Sequence, residues 1–361
     1  MVEQEQTVTD RRPTPADPLP GQPKDPSQPG REGHDLPPEL GPNPVSVVEG
    51  RTFMFSDPVG DVPAGTIGGL VNADTRLLSR WVLSINGNRW LDLRSGTVTH
   101  YSAEFFLTNP ELPDLPPNTL GLRRRRVLGD SFHEHLELRS FAVEPVHLEL
   151  RLETGTDFAD LFEMKHFVRE RTTIARDHAS DGSRMAYRYR NGDFQVETVL
   201  DVRPHADRVE GDDLIWELDL EPDGRWECEL DVPLSFGEQE VRPERRRFPL
   251  PASTNDPVNA WLSQAPSVES DSYVLENTIE TCRRDLIALR IATRAGDREI
   301  MLPAAGLPWF LTLFGRDTLI TAYQTIAAGQ ALSRGTLLAL AAYQGSTRED
   351  FRDEEPGKIL H

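Results

Sequence analysis

Apolar and polar side chains alternate residue by residue through much of the chain between Val45 and Leu250. In Val146-His147-Leu148-Glu149-Leu150-Arg151-Leu152-Glu153 every even-numbered position is apolar and every odd one polar, and Leu214-Ile215-Trp216-Glu217-Leu218-Asp219-Leu220 keeps nearly the same beat. Successive side chains of a strand point to opposite faces, so a period of two marks a strand with one face in a core and the other in water. Trp226, Cys228 and Leu230 continue the pattern after a turn at Pro222-Asp223-Gly224. Arg80 to Ile85 and Arg89 to Leu93 flank Asn86-Gly87-Asn88, a hairpin signal because Asn and Gly accept the positive φ of tight turns. Many such runs at short spacing, joined by Gly, Pro and Asp turns, predict a large antiparallel β-sandwich with long, many-stranded sheets.

The period then changes. From Tyr273 to Thr293 the apolar positions Leu275, Ile279, Cys282, Leu286 and Leu289 step by four, three, four and three, which lines one side of a helix. A second helix is expected from Asp317 to Ala328, ended by Gly329, and a third from about Arg334 to Gln344, with Ser333 as N-cap and Gly345 just past its end. The last is rich in Ala and Leu and nearly uncharged, so burial on most sides is expected. Pro249, Pro251, Pro257 and Pro266 interrupt the chain between the two regimes. The expected organisation is a Pro-rich tail over 1–44, a β-sandwich domain over 45–250, a linker over 251–270 and a helical domain over 271–361. Three helices make a poor closed domain, so the helical part is expected to be incomplete.

The first 44 residues hold 11 of the 29 prolines and almost no large apolar side chains, too few to offset the entropy of ordering them. A formal charge of −20 repels phosphodiester backbones and anionic lipid, which argues against nucleic acid and membrane partners and suits a neutral ligand, although acidity also serves solubility alone. Cys228 falls in a strand pattern and Cys282 in a helix pattern, and both read as small core hydrophobes. No apolar run approaches the roughly 18 residues of a membrane span. The start Met1-Val2-Glu3-Gln4-Glu5 lacks the basic and apolar regions of a secretory signal, so a soluble, cytoplasmic protein is expected. Phosphate-binding, dinucleotide-binding and serine-hydrolase motifs are missing from the sequence, and no cofactor is expected. Oligomeric state is not legible.

Two stretches are dense in chemistry. Ala304 to Ile320 places Trp309, Phe310 and Phe314 in a loop and then Gly315-Arg316-Asp317 at a helix start. Aromatic faces stack on the C–H surface of a sugar ring, and a planar guanidinium beside a carboxylate can hydrogen-bond neighbouring hydroxyls. The same residues also fit a structural role, with Asp317 capping the helix, Arg316 paired to it, and Trp309 and Phe310 filling a core. Arg348 to His361 clusters carboxylates after the last helix. Glycoside hydrolysis needs two carboxyl groups, but taken by itself the stretch reads first as a solvated charge run. His133-Glu134-His135 sets two histidines on one strand face. Two ligands without a third do not make a metal site, and no metal is expected. Arg123 to Arg126 splits over the two faces of a strand, and Asp157 to Glu163 reads either as a surface turn or as a turn facing the helical part.

At several of these places the chain resembles the bacterial glycogen debranching enzymes. Phe55-Ser56-Asp57-Pro58-Val59-Gly60-Asp61, Asp74-Thr75-Arg76-Leu77-Leu78-Ser79-Arg80-Trp81, and Ser140-Phe141-Ala142 through Asp157-Phe158-Ala159-Asp160 are similar to their N-terminal domain. Ala305-Gly306-Leu307-Pro308-Trp309-Phe310, Phe314-Gly315-Arg316-Asp317-Thr318 and Asp353-Glu354-Glu355-Pro356-Gly357-Lys358-Ile359-Leu360-His361 are similar to the opening of their amylo-α-1,6-glucosidase domain. The resemblance covers nearly everything from about Val47 onward. It implies a β-sandwich ahead of a truncated (α/α)6 toroid, an α-glucan or oligosaccharide substrate, and inverting hydrolysis of α-1,6-linked glucose. It also implies that Arg316 and Asp317 grip a terminal glucose, that Trp309 and Phe310 form the pocket wall, and that Glu355, Lys358 and His361 line the pocket. In such toroids the general acid and base come from later helical hairpins, expected beyond His361, so residues 1–361 alone are expected not to turn over substrate. Two further readings stay open: a non-catalytic glucan-binding or assembly module, and a glucoamylase-like or phosphorolytic toroid enzyme.

Overall fold

The computed structural model describes residues 40–166, 173–234, 268–295 and 298–360, so most of the tail and most of the 251–270 linker lie outside the described residues. An antiparallel β-sheet-rich domain comes first and a small set of helices follows. One sheet has eight strands and another five, and their inward rows form a single core. Leu148, Leu150 and Leu152 of Val146–Gly155 face that core together with Leu214, Trp216 and Leu218 of Asp213–Leu220. From the larger sheet Phe132, Leu136 and Leu138 of Ser131–Ser140 meet them, along with Cys228 and Leu230 of Arg225–Pro233. The ring of Trp81 in Arg80–Ile85 meets Phe132 edge-on at 5.5 Å, joining one sheet to the other. The expected sandwich is thus present. The Asn-Gly hairpin is there as well, with both turn residues at positive φ, but its second strand is only Asn88–Arg89. The chain then crosses through buried Trp90 to Leu91–Thr99 at the rim of the larger sheet.

A third, four-stranded sheet, Val45–Glu49, Thr52–Ser56, Gly69–Asn72 and Thr75–Leu78, has apolar residues on both faces. Val47, Met54 and Leu70 sit opposite one another across three strands and join the sandwich core. Their neighbours Val48, Phe53 and Val71 form the reverse row and join a second core. That second core contains Ala159, Leu161 and Met164, and, from the C-terminal part, Ala288, Ile291, Leu302, Ala304, Leu311 and Ala339.

The short helix α1, Leu161–His166, is held by a capping box. Asp160 Oδ1 accepts from the backbone of Phe162 and Glu163, and Glu163 Oε2 accepts from Asp160 N at 3.0 Å. Its position in the second core makes the 157–163 turn one that faces the C-terminal part. Helix α2, Tyr273–Ala288, is capped by Ser272 and stops earlier than its periodicity predicts. The chain enters a hairpin, Arg290–Ala295 with Arg298–Pro303, whose Ile291 and Leu302 are drawn into the second core. The expected stripe on α2 is largely open: Leu275 and Cys282 are exposed and only Ile287 and Ala288 are buried. Cys282 is therefore not a core residue, whereas Cys228 is.

Helix α3 spans Gly315–Gln324, followed by a 3-10 turn at Ile326–Ala328, and α4 spans Gln330–Ala342. Ser333 is not the N-cap of α4. It lies inside the helix, donating from Oγ to Ala322 O at 2.8 Å, and Gly329 takes the cap position. Nor is α4 covered on most sides, because Leu337 and Leu338 are exposed opposite buried Leu332, Ala339 and Leu340. No helix of the described residues is long and apolar enough to cross a membrane.

Inside the sandwich lies a cluster of charges with almost no exposure. Glu134 Oε1 accepts from Trp81 Nε1 at 3.1 Å and from Arg124 Nη2 at 2.8 Å, and its Oε2 accepts from Arg126 Nε at 2.7 Å. Arg124 also donates to Asp61 Oδ1 at 2.7 Å and to Val59 O at 2.8 Å, and Arg126 to Ser56 Oγ and Gly60 O. Asp57 pairs with Arg89 at the rim, so three guanidiniums match three carboxylates. The Phe55–Asp61 turn thus wraps its carbonyls around two arginines. Gly60, at φ +85°, has the guanidinium of Arg124 where a Cβ would point, which requires glycine there. Arg123 and Arg125 lie on the opposite face, as the alternation of the basic run predicts. Burial alone would push the Glu134 carboxyl up, but Arg124 and Arg126 together hold it below the ordinary carboxylate range. Asp61 goes the other way, pushed up by burial and by the neighbouring Asp57 charge against the opposing effects of Arg124 and of the bond from Leu83 N.

Removing one member of such a cluster leaves buried charge uncompensated. Glu134→Gln is expected to cost about 3–5 kcal/mol in denaturant unfolding, against less than about 1 kcal/mol for Glu104→Gln, whose partner Arg123 is half-exposed. A lowered folded pKa means that the Glu134 contribution is complete above its unfolded value of about 4.3 and is lost as pH falls further. The wild-type advantage over Glu134→Gln should hold from neutrality to about pH 5 and shrink below pH 4.

Candidate functional site

Helix α3 takes its orientation from its buried side. Gly315, Thr318 and Ala322 are buried at helical spacing, so Arg316 and Asp317 point away from the core and are exposed. Thr318 Oγ1 donates to Pro303 O at 3.1 Å, which ties the first turn to the end of the hairpin. Phe314 is the N-cap and offers no capping side chain. Asp317 therefore does not cap the helix, and no hydrogen bond or ion pair joins it to Arg316 among the described residues. The carboxylate sits in the first turn, where the helix dipole favours negative charge.

The preceding loop is closed on itself. Gly306 N donates to Phe310 O at 2.9 Å, Phe310 N to Gly306 O at 3.1 Å, and Ala305 N to Thr312 O at 3.1 Å. Leu307, Trp309 and Leu313 pack partly buried against the second core. Phe310 remains 46% exposed and lies edge-on to Phe314 at 5.5 Å. The Lys165 ammonium of α1 stands 5.8 Å from the Phe310 ring centre, a cation–π contact from the β-rich domain.

The acidic C-terminal stretch is an ordered loop. Gly345 N donates to Lys358 O at 2.7 Å and Gly357 N to Gly345 O at 2.8 Å, so the loop returns to the end of α4. Glu354 Oε1 accepts from Ser346 N, Asp353 pairs with Lys358 Nζ at 2.6 Å, and Glu355 lies 4.0 Å from Arg348. The loop then runs to Leu360, whose carbonyl packs against Gly315 so closely that any Cβ on Gly315 would collide with it. The two chemistry-rich stretches of the sequence thus meet at the start of α3. Trp309 is half-buried there, and Phe310, Arg316, Asp317, Glu355 and Lys358 are exposed. His361 lies outside the described residues.

The contact of Lys165 with Phe310 was not visible in the sequence. The Asp160-x-x-Glu163 capping box announces its helix, but nothing local announces what that helix touches. The histidines of Ser131–Ser140 are occupied by neighbouring acids, His133 with Asp231 at 2.7 Å and His135 with Glu227 at 3.4 Å. Among the described residues no group of three His, Cys, Asp or Glu side chains is placed to hold a metal ion.

Comparison with known proteins gives one family. The model for the N-terminal domain of (some) glycogen debranching enzymes matches residues 47–231. No curated protein sequence matches the chain. Among solved structures, one from the human microbiome described as a kojibiose phosphorylase is 10% identical, with a TM-score of 0.34, over 52% of this chain and 29% of that one. A protein from Escherichia coli K12 described as an aldose 1-epimerase is 7% identical, with a TM-score of 0.36, over 54% of this chain and 99% of that one. A heparan sulfate lyase from Pedobacter heparinus is 12% identical, with a TM-score of 0.32, over 54% of this chain and 36% of that one. The chain spans about a third of the phosphorylase and the lyase. Likeness at these TM-scores does not bear on chemistry.

The Gly315–Leu360 contact is directly testable. Gly315→Ala must push Leu360 away from α3, with an expected cost of about 1–3 kcal/mol and faster hydrogen exchange at Gly345 N and Gly357 N. Gly306→Ala, whose Cβ would meet nothing within 4 Å, should leave both readouts unchanged.

Proposed function

Because residues 47–231 place the chain in the family of N-terminal domains of glycogen debranching enzymes, we propose that the protein works on α-glucans and that a glucose unit is held at the start of α3. Arg316 and Asp317 hydrogen-bond its hydroxyls, and Phe310 and Trp309 offer ring surface to its C–H face. The observation that carries this reading is the convergence of the aromatic loop, the exposed Arg316 and Asp317, and the 345–360 loop at one helix start. An aspartate and an arginine without partners among the described residues are poised to bond a neutral polyol, whereas a structural pair would be bonded to each other.

In this reading the protein is part of a debranching-type glycosidase that removes α-1,6-linked glucose with inversion on a helical toroid of which α2, α3 and α4 belong to the opening. Inversion requires two carboxyl groups roughly 6.5–9.5 Å apart with a water between them. Glu354 is engaged by the 346–347 backbone and Asp353 by Lys358, which suits a loop-forming role. Asp317 is assigned to grip. Residues 1–361 are therefore expected to bind glucan without releasing glucose.

Titration with maltoheptaose by calorimetry tests the binding half. A hydrogen bond to a charged group is worth about 1.5–3 kcal/mol, so Asp317→Asn and Arg316→Gln should each weaken binding about tenfold or more. Arg94→Gln, on an exposed strand far along the chain, should not. Equal affinity in all four proteins rules out the α3 site, and glucose release by residues 1–361 rules out the assignment of roles.

A further inference from the structure

We propose that helix α1 of the β-rich domain forms the outer wall of this sugar site, with Phe162 and Lys165 contacting the part of a glucan chain that follows the glucose held at Arg316 and Asp317. The inference rests on the α3 reading and extends it to substrate length.

Four observations lead to it. Leu161 and Met164 anchor α1 in the second core, the same core that Trp309 packs against. The capping box made by Asp160 and Glu163 fixes the start of the helix, and with it the backbone from which Phe162 and Lys165 project. Phe162 and Lys165, three residues apart, share one side of α1, and Lys165 reaches the exposed Phe310 ring. Phe162 itself is 78% exposed among the described residues, a large apolar ring on a capped helix.

A row of groups therefore leads from α1 through Phe310 and Phe314 to Arg316 and Asp317. A sugar chain presents alternating C–H faces and hydroxyl edges, which match such a row of rings and charged ends. A chain lying along it meets the β-rich domain beyond its first unit. The choice of lysine is itself informative. The chain uses arginine nearly everywhere, its only lysines being Lys24, Lys165 and Lys358, and two of these flank this site. An ammonium offers three rotatable donors that adapt to hydroxyls, where a guanidinium fork favours planar anions.

The test compares a long and a short ligand on the full chain. Phe162→Ala and Lys165→Met are each titrated with maltoheptaose and with glucose by NMR, beside Asp317→Asn, with circular dichroism confirming the fold of each. The proposal expects Phe162→Ala to weaken maltoheptaose binding by about tenfold and Lys165→Met by about threefold, glucose binding to stay within about twofold in both, and Asp317→Asn to weaken both ligands. Wild-type affinity for maltoheptaose in both α1 variants, with loss in Asp317→Asn, overturns the role of α1 and leaves the α3 site standing. Equal weakening of glucose and maltoheptaose by Phe162→Ala overturns the outer position. Undiminished binding in Asp317→Asn overturns the α3 site and this extension with it.

Discussion

The architecture turns on a small sheet that has no polar face. In Val45–Glu49, Thr52–Ser56 and Gly69–Asn72, one row of side chains completes the sandwich core and the next row begins a second core. An antiparallel sheet usually gives one face to water. Here that face is taken into a core shared with α1, the Arg290–Pro303 hairpin and α4, whose Leu161, Ile291, Leu302 and Ala339 belong to the same apolar cluster as Val48, Phe53 and Val71. Burying a side chain of that size contributes about 1.5–3 kcal/mol, so a handful of such residues is enough to hold the C-terminal part against the β-rich domain. Since the aromatic loop rests on the same core through Trp309 and Leu307, the position of Phe310 and Arg316 follows from that packing.

The residues that carry the family likeness divide into two kinds. Those of the β-rich domain are structural. Ser56, Asp57, Gly60 and Asp61 serve the Arg124–Arg126–Glu134 cluster, and Trp81 caps it. Arg76, fully buried, bonds Asp157 and the carbonyls of Thr66 and Gly68, which ties the 157–160 turn, and through it α1, to the small sheet. In the C-terminal part they are mixed: Glu354, Asp353 and Lys358 are engaged in forming their loop, and Arg316 and Asp317 are exposed. Arg316 and Asp317 have no partner among the described residues, although the next residue, Thr318, is bonded and buried. Charged groups that a fold needs are satisfied inside it. Charged groups it exposes in an ordered setting beside open aromatic rings are available for something else.

Parity along the strands made more legible than net charge did. Arg124 and Arg126 share the parity of Leu122 and Leu128, and Glu134 that of Phe132 and Leu136. Alternation alone therefore places these charges in the core, where only mutual pairing tolerates them. Helix periodicity was a weaker guide. The stripe from Leu275 to Leu289 forms a helix, but its end and its coverage depend on what lies alongside. After Ala288 the second core takes Ile291 and Leu302 as a β-hairpin, which needs a partner strand that local spacing cannot supply. The cap expected from Ser333 failed for a similar reason, since Ala322 O, eleven residues away in the chain, offers its hydroxyl a better bond within the packed helix pair.

What the amino-acid order determined by itself was everything that depends on neighbours in the chain: strands from a period of two, the Asn86-Gly87 turn from φ tolerance, the helical regions of the C-terminal part, and the chemistry available at Trp309 to Asp317. Which of those groups meet was decided by tertiary structure. Lys165 lies far from Phe310 in the chain, and Gly315 far from Leu360, yet both contacts exist because a two-faced sheet gathers distant apolar residues into one core. Apolar attraction has no direction and no memory of sequence separation, so it brings together residues whose local patterns carry no record of each other.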